Sequence, residues 1–200
     1  MLDPFYLIVD SADWLQRLLP CGVKLAQLRV KNADPAKLKG EIVRARDLCA
    51  RHGAQLIVND HWREALDAGC DYVHLGQEDL DDADIAALRR ADMRIGVSTH
   101  DHQELDRALS LEADYIAFGP IHATTAKELP FAPQGLMRLA QWRDLVAGLP
   151  LVAIGGITLE NCGELFRAGA DSVAVISDVL RAPDPEARAR AFLDATRAFA

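Results

Sequence analysis

Arg29 and Lys31 stand two residues apart in the run Gln27-Leu28-Arg29-Val30-Lys31, at the end of a short apolar stretch. On an extended chain alternate side chains share a face, so both cations are expected to point the same way. A third cation, Lys127, sits in a later loop from which it could reach the same place. Three positive charges converging on one pocket suit a diphosphate better than an uncharged substrate. Two carboxylates, Asp60 and Asp79, follow the third and fourth apolar stretches. If those stretches are neighbouring strands of one sheet, they lie about 4.8 Å apart. Two hard oxygen donors beside a diphosphate make a Mg²⁺ site in which substrate oxygens and water complete the octahedron. Paired carboxylates also serve glycosidase-type acid and base work. That use leaves the neighbouring cations without a role, because they would hold both acids ionised. Asp60 can equally cap a helix that starts at His61.

Gly155-Gly156, between an apolar run and a helical segment, suggests a second anion site. Glycines let backbone N–H groups approach a phosphate, and a helix N-terminus adds the positive end of its dipole. Ser177, at the end of the last apolar run, is expected to contribute to it. The chain thus suggests a metal-assisted anion site and a metal-free one in the same mouth, as a reaction between two phosphorylated partners would need. His74 reads as a packed, hydrogen-bonded histidine rather than a base.

These residues need a frame that brings distant segments to one rim. Eight short, nearly continuous apolar runs supply it: Tyr6–Val9, Leu25–Leu28, Leu56–Val58, Tyr72–His74, Ile95–Val97, Tyr115–Phe118, Leu151–Ile154 and Val173–Ile176. Such runs are expected of parallel strands buried on both faces. Amphipathic segments separate them. Pro35–Arg51 carries Leu38, Ile42, Ala45 and Leu48 on one stripe; Asp101–Ser110 has a cap at Thr99 or Asp101; Leu159–Ala168 and Pro185–Phe199 read alike. Eight strand–helix units in 200 residues leave about 25 residues each. The expected fold class is α/β, a single (β/α)8 TIM barrel over residues 1–200. A doubly wound open sheet would usually stop at five or six strands. In a barrel the polar residues just described all fall at the C-terminal ends of strands, where barrels carry their active sites.

Composition narrows the partners. A net charge of -8 argues against a broad nucleic-acid surface, which needs a basic face, but leaves room for a local anion site. No stretch approaches the roughly 20 apolar residues of a membrane span. The N-terminus lacks a basic leader, so a cytoplasmic protein is expected. Cys21, Cys49, Cys70 and Cys162 form no C-x-x-C pair, so reduced packing thiols are a better reading than disulfides or zinc ligands. The oligomeric state, a homo-oligomer included, is left open.

Six segments carry a family resemblance: Gln27-Leu-Arg-Val-Lys31, Val58-Asn-Asp60, Val73-His-Leu-Gly-Gln-Glu-Asp79, Gly96-Val-Ser-Thr-His100, Ala132-Pro-Gln-Gly-Leu136 and Ala153-Ile-Gly-Gly-Ile-Thr158. In order and spacing they closely resemble the signature blocks of bacterial thiamine phosphate synthases, from about Tyr6 to Val179. The resemblance implies a transferase that joins a hydroxymethylpyrimidine diphosphate to a thiazole phosphate, the diphosphate leaving first with Mg²⁺ as cofactor. It implies that Gln27, Leu28, Arg29, Val30, Lys31, Asn59, Ser98 and Lys127 hold the pyrimidine diphosphate. Arg29, Lys31, Ser98 and Lys127 would assist catalysis, with Asp60 and Asp79 on the metal. Thr124, Thr125, Ala126, Gly156, Ile176 and Ser177 would hold the thiazole phosphate. One loop departs from the family: its Thr-x-Thr-Lys is Thr124-Thr-Ala126-Lys127 here, and the preceding aromatic-Pro pair is His122-Ala123. Two rival readings share the phosphate site. One is a thiazole tautomerase, for which His122 could move a proton; the other is a non-catalytic regulator that binds a phosphorylated ligand.

Overall fold

Each apolar run forms a strand because both of its faces find cover. The computed structural model describes residues 2–31, 34–124 and 131–199. In chain order the elements are β1 (Phe5–Val9), α1 (Ala12–Leu18), β2 (Leu25–Leu28), α2 (Pro35–His52), β3 (Gln55–Asn59), α3 (Trp62–Asp67) and β4 (Tyr72–Leu75). Then come α4 (Asp79–Asp82), α5 (Ile85–Arg90), β5 (Arg94–Thr99), α6 (His102–Ser110), β6 (Tyr115–Phe118), α7 (Gly135–Val146) and β7 (Leu151–Ile154). The last are α8 (Cys162–Arg167), β8 (Ser172–Val175), α9 (Ser177–Leu180) and α10 (Pro185–Thr196). The strands pair in sequence order, all parallel, and β8 returns to β1 to close the barrel. This is the (β/α)8 architecture expected from the sequence.

Strand alternation divides the side chains into two layers. Phe5, Leu7, Val9, Ala26, Leu28, Val58, Val73, Val97 and Phe118 point outward and pack with the helices. Tyr6, Ile8, Leu25, Ile57, Tyr72, Tyr115, Ala117, Val152 and Ala174 fill the interior. The chain's three tyrosines therefore all face inward. Room for one of them comes from Gly96, the register partner of Tyr115 on β5: a Cβ there would lie 2.0 Å from the Tyr115 ring.

The seam between the first and last strands is reinforced beyond its ladder. Phe5 pairs with Val173, the Val173 N–H donates to the Pro4 carbonyl at 2.9 Å, and Ser172 Oγ donates to the Asp3 carbonyl at 2.8 Å. The Phe5 ring stacks on Phe192 of α10 at 5.2 Å.

Helix boundaries differ from the sequence reading by more than one residue in two places. The segment expected over Leu159–Ala168 is helical only from Cys162 to Arg167. Its first residues form a turn instead, with the Thr158 N–H bound to Asn161 Oδ1 and the Leu159 N–H to Asp178 Oδ2. At the other, α10 stops at Thr196 and a 3-10 turn, Arg197–Phe199, replaces the expected last turn. Of the two caps proposed for α6, Asp101 holds the position and accepts from the Glu104 N–H. All four cysteines are free.

Candidate active site

The inward positions become polar toward the C-terminal ends of the strands. Gln27, Asn59 and His74 each follow an inward apolar residue by two, Ser98 follows Gly96, and together they line a cavity of about 170 Å³ at that end of the barrel. Arg29, Asp60, Gly76, Asp79, His100 and Thr124 extend its wall, and Gly155, Gly156, Ile176 and Ser177 form the far side. Residues from all eight strands or the loops after them contribute.

Asp60 and Asp79 meet in this cavity, their carboxyl groups within hydrogen-bonding contact. Burial, and then the neighbouring Asp79 charge, push the Asp60 carboxyl up to about 6; Arg29 and His61 act against that rise. Asp60 is held there by its backbone, which adopts the left-handed region (φ 61°) that Asp tolerates better than most residues, and by its N–H bond to the His74 carbonyl at 2.9 Å. It is not a helix cap, because His61 occupies that position before α3, without a side-chain capping bond of its own. Asp79 is oriented by the Gly76 N–H, which donates to its Oδ2 at 3.2 Å.

Two touching carboxylates, both partly buried and with Arg29 beside them, fit a divalent cation that would relieve their mutual repulsion. Among the described residues no group of three or more His, Cys, Asp or Glu could hold a metal ion. The pair therefore suits a hard cation that takes its remaining ligands from water and substrate oxygens, as Mg²⁺ commonly does.

The far side is shaped for close backbone approach. Gly156 has φ 65°, and a Cβ there would lie 2.5 Å from the Ala123 carbonyl and 2.7 Å from His122 Cβ. Its carbonyl accepts from Asn161 Nδ2 at 3.0 Å, which fixes the turn. Ser177 opens α9 directly after β8, so the two loops that build phosphate sites in barrels both border this wall.

The expected residues are not all brought together. Gln27, Arg29, Asn59, Asp60, Asp79, Ser98, Thr124, Gly156, Ile176 and Ser177 line the cavity. Leu28 and Val30 do not: their side chains pack outward against the helix layer. Lys31 is exposed and off the cavity wall. The alternation argument fails for it because β2 ends at Leu28, and after the Arg29 N–H binds the Val9 carbonyl at 2.7 Å the chain leaves the sheet. Thr125, Ala126 and Lys127 lie outside the described residues. His122 faces away: its Nε2 is buried with no hydrogen bond among the described residues, 3.5 Å from Glu164 Oε1, so it gives no support to a proton-transfer role in the cavity.

Among the wall residues to which sequence reasoning gave no role, three bear on the geometry. His100 lines the cavity with its Nδ1 bound to Glu104 Oε2 at 2.7 Å and its ring stacked on Phe131. Gly76 orients Asp79, and Tyr6 closes the cavity from below, joined through Tyr115 to His74, whose imidazole is packed and hydrogen-bonded as expected. Tyrosines inside apolar runs read as apolar, and only their all falling on inward positions could have marked them.

The family model described as thiamine monophosphate synthase matches residues 5–179. The thiamine-phosphate synthase of Rhizobium etli is 57% identical over 195 residues, covering 98% of this chain and 96% of the relative. That of Neisseria meningitidis serogroup A is 47% identical over 188 residues, covering 94% and 92%. Among solved structures, thiamine phosphate pyrophosphorylase from Pyrococcus furiosus superposes with a TM-score of 0.86 at 27% identity, covering 98% of this chain and 96% of that one. A 3-hexulose-6-phosphate synthase from Salmonella typhimurium, at 16% identity and TM-score 0.70, shares the fold alone.

Proposed function

Because the chain belongs to the thiamine monophosphate synthase family, whose members condense a pyrimidine and a thiazole moiety into thiamine phosphate, we propose how its barrel mouth divides that work. The protein is a transferase of thiamine biosynthesis acting on small-molecule substrates. In our reading the pyrimidine diphosphate lies over β2 to β5, with Arg29, Asn59 and Ser98 on its oxygens and ring and Gln27 beneath. Asp60 and Asp79 would hold Mg²⁺. When bound, that ion supplies Lewis-acid stabilisation of charge growing on the leaving diphosphate. Gly156, Ile176 and Ser177, with Thr124 across the mouth, take the thiazole phosphate.

The observation that carries this division is the Asp60–Asp79 contact beside Arg29, across the cavity from the Gly156–Ser177 wall. A dissociative departure of diphosphate needs charge stabilisation and no general base, and the residues near the carboxylate pair supply charge. Arg29 neutralises the leaving group while the apolar interior below excludes water from the pyrimidine-methyl cation. The thiazole nitrogen then forms its bond to that carbon. Lys31 and Lys127 remain candidates for the diphosphate, to be tested by Lys31→Ala and Lys127→Ala. We take residues 1–200 as one catalytic unit. Among the described residues no helix is long and apolar enough to cross a membrane. Substrates that carry phosphate charges and four unpaired cysteines fit a cytoplasmic location.

The test is an assay with purified protein, both substrates and Mg²⁺, reading thiamine phosphate and diphosphate. Product should form with Mg²⁺ and stop with EDTA. Full turnover in EDTA would remove the metal assignment, and no product under saturating conditions would remove the reading.

A further inference from the structure

We infer that His74, Tyr115 and Tyr6 form a buried hydrogen-bond relay of fixed direction that makes the Ser98 hydroxyl a donor into the cavity, so that its partner is an acceptor atom such as a diphosphate oxygen. The inference rests on the reading of Ser98 as a substrate contact.

The direction follows from accounting for each hydrogen. Gln27 Nε2 can only donate, and it lies 2.7 Å from the Tyr6 hydroxyl, so that oxygen accepts. Tyr6 is almost wholly buried, and its remaining partner is the Tyr115 hydroxyl at 3.0 Å, so its hydrogen goes there. Tyr115, fully buried, has received that hydrogen and sends its own to His74 Nδ1 at 2.7 Å. A neutral imidazole that accepts at Nδ1 carries its proton on Nε2. That nitrogen is 2.8 Å from Ser98 Oγ, which therefore accepts and turns its hydrogen toward the cavity it lines. The Ser98 backbone is fixed separately, its carbonyl accepting from Gln77 Nε2 at 2.7 Å.

Buried polar groups left unpaired are costly, which is why such a chain holds one direction rather than averaging two. Reversal would require the Gln27 amide to present its carbonyl to Tyr6. Ser98 would then give its hydrogen to His74 and offer the cavity only lone pairs, a poor match for an anion. The relay makes His74 and Tyr115 positioning residues for the Ser98 hydroxyl, with no proton transferred in the reaction.

Two measurements test this. Nitrogen-15 NMR of the histidine-labelled protein should show His74 neutral with its proton on Nε2. A proton on Nδ1, in the other tautomer or as imidazolium, would overturn the inference. The second is a double-mutant cycle. Tyr115→Phe should lower kcat about tenfold, within the range for coupled neighbours in one network, with the KM for the thiazole phosphate unchanged. In a Ser98→Ala background the same substitution should cost nothing further. Equal losses in both backgrounds would mean that Tyr115 matters to the barrel alone and would overturn the relay. Should Tyr115→Phe fail to fold, Tyr6→Phe breaks the chain one link earlier and enters the same cycle. Unchanged activity in Ser98→Ala alone would instead refute Ser98 as a substrate contact.

Discussion

Replacing Asp60 by Asn should make the metal-free protein more stable while ending its activity. The partly buried carboxyl is pushed up to about 6 from its ordinary 3.8, because desolvation and Asp79 both oppose its charge. That difference corresponds to about 3 kcal/mol between the two protonation states. Relaxation and water reduce what a neutral amide recovers, so a gain of about 1–2 kcal/mol is expected. For a chain of this size that raises the melting temperature by about 2–8 °C. Asn also tolerates the left-handed backbone at this position, so no strain offsets the gain. The pH dependence has a definite sign. Between about 4 and 6 the folded protein keeps a proton that the unfolded chain has released, so folding loses stability as pH rises through that window. The advantage of Asp60→Asn should therefore be full at pH 7.5 and absent near pH 4. Thermal melts in EDTA at both pH values measure it, and Mg²⁺ with inorganic diphosphate should then stabilise the native protein more than the variant. A variant no more stable at pH 7.5, or equally favoured at both pH values, refutes the argument that these carboxylates destabilise each other in wait for a cation.

Asp79→Ala should raise the Mg²⁺ requirement more than about tenfold or abolish turnover, since even groups that merely orient metal ligands cost 10–100-fold; a Mg²⁺ titration of initial rate decides it. Ser177→Ala should raise the KM for the thiazole phosphate about 10–100-fold, the equivalent of one hydrogen bond to a charged group, and leave that for the pyrimidine diphosphate unchanged. A selective effect on the pyrimidine partner would show the two anion sites to be reversed. Gly96→Ala forces a methyl within 2.0 Å of the buried Tyr115 ring and should destabilise by about 1–3 kcal/mol or more, read as a lower urea midpoint.

The barrel was legible because each strand is buried on both faces and so reads as an uninterrupted apolar run. The rim was legible for a related reason: at Gln27, Asn59 and Ser98 the inward position turns polar, which the filling of a barrel interior does not require. Leu28 and Val30 were misplaced because a motif names neighbours in the chain, whereas the pleat turns alternate neighbours away from the cavity. Lys31 was misdirected by extending strand geometry three residues past the end of β2. The start of α8 was lost to the side chains of Asn161 and Asp178, the second from a different part of the chain. No local pattern encodes a partner that far away. The relay beneath the site was invisible for the same reason, since its members are joined across strands as much as 109 residues apart.

The seam between β1 and β8 has a consequence for synthesis. The partner of Phe5–Leu7 is the last made of the eight barrel strands, so a nascent chain carries β1 with one edge unpaired until Ser172–Val175 has emerged. Every wall of the catalytic pocket waits on that final closure. A truncated or stalled product is therefore an open, adhesive sheet and not a weaker enzyme, a natural client for chaperones and proteases.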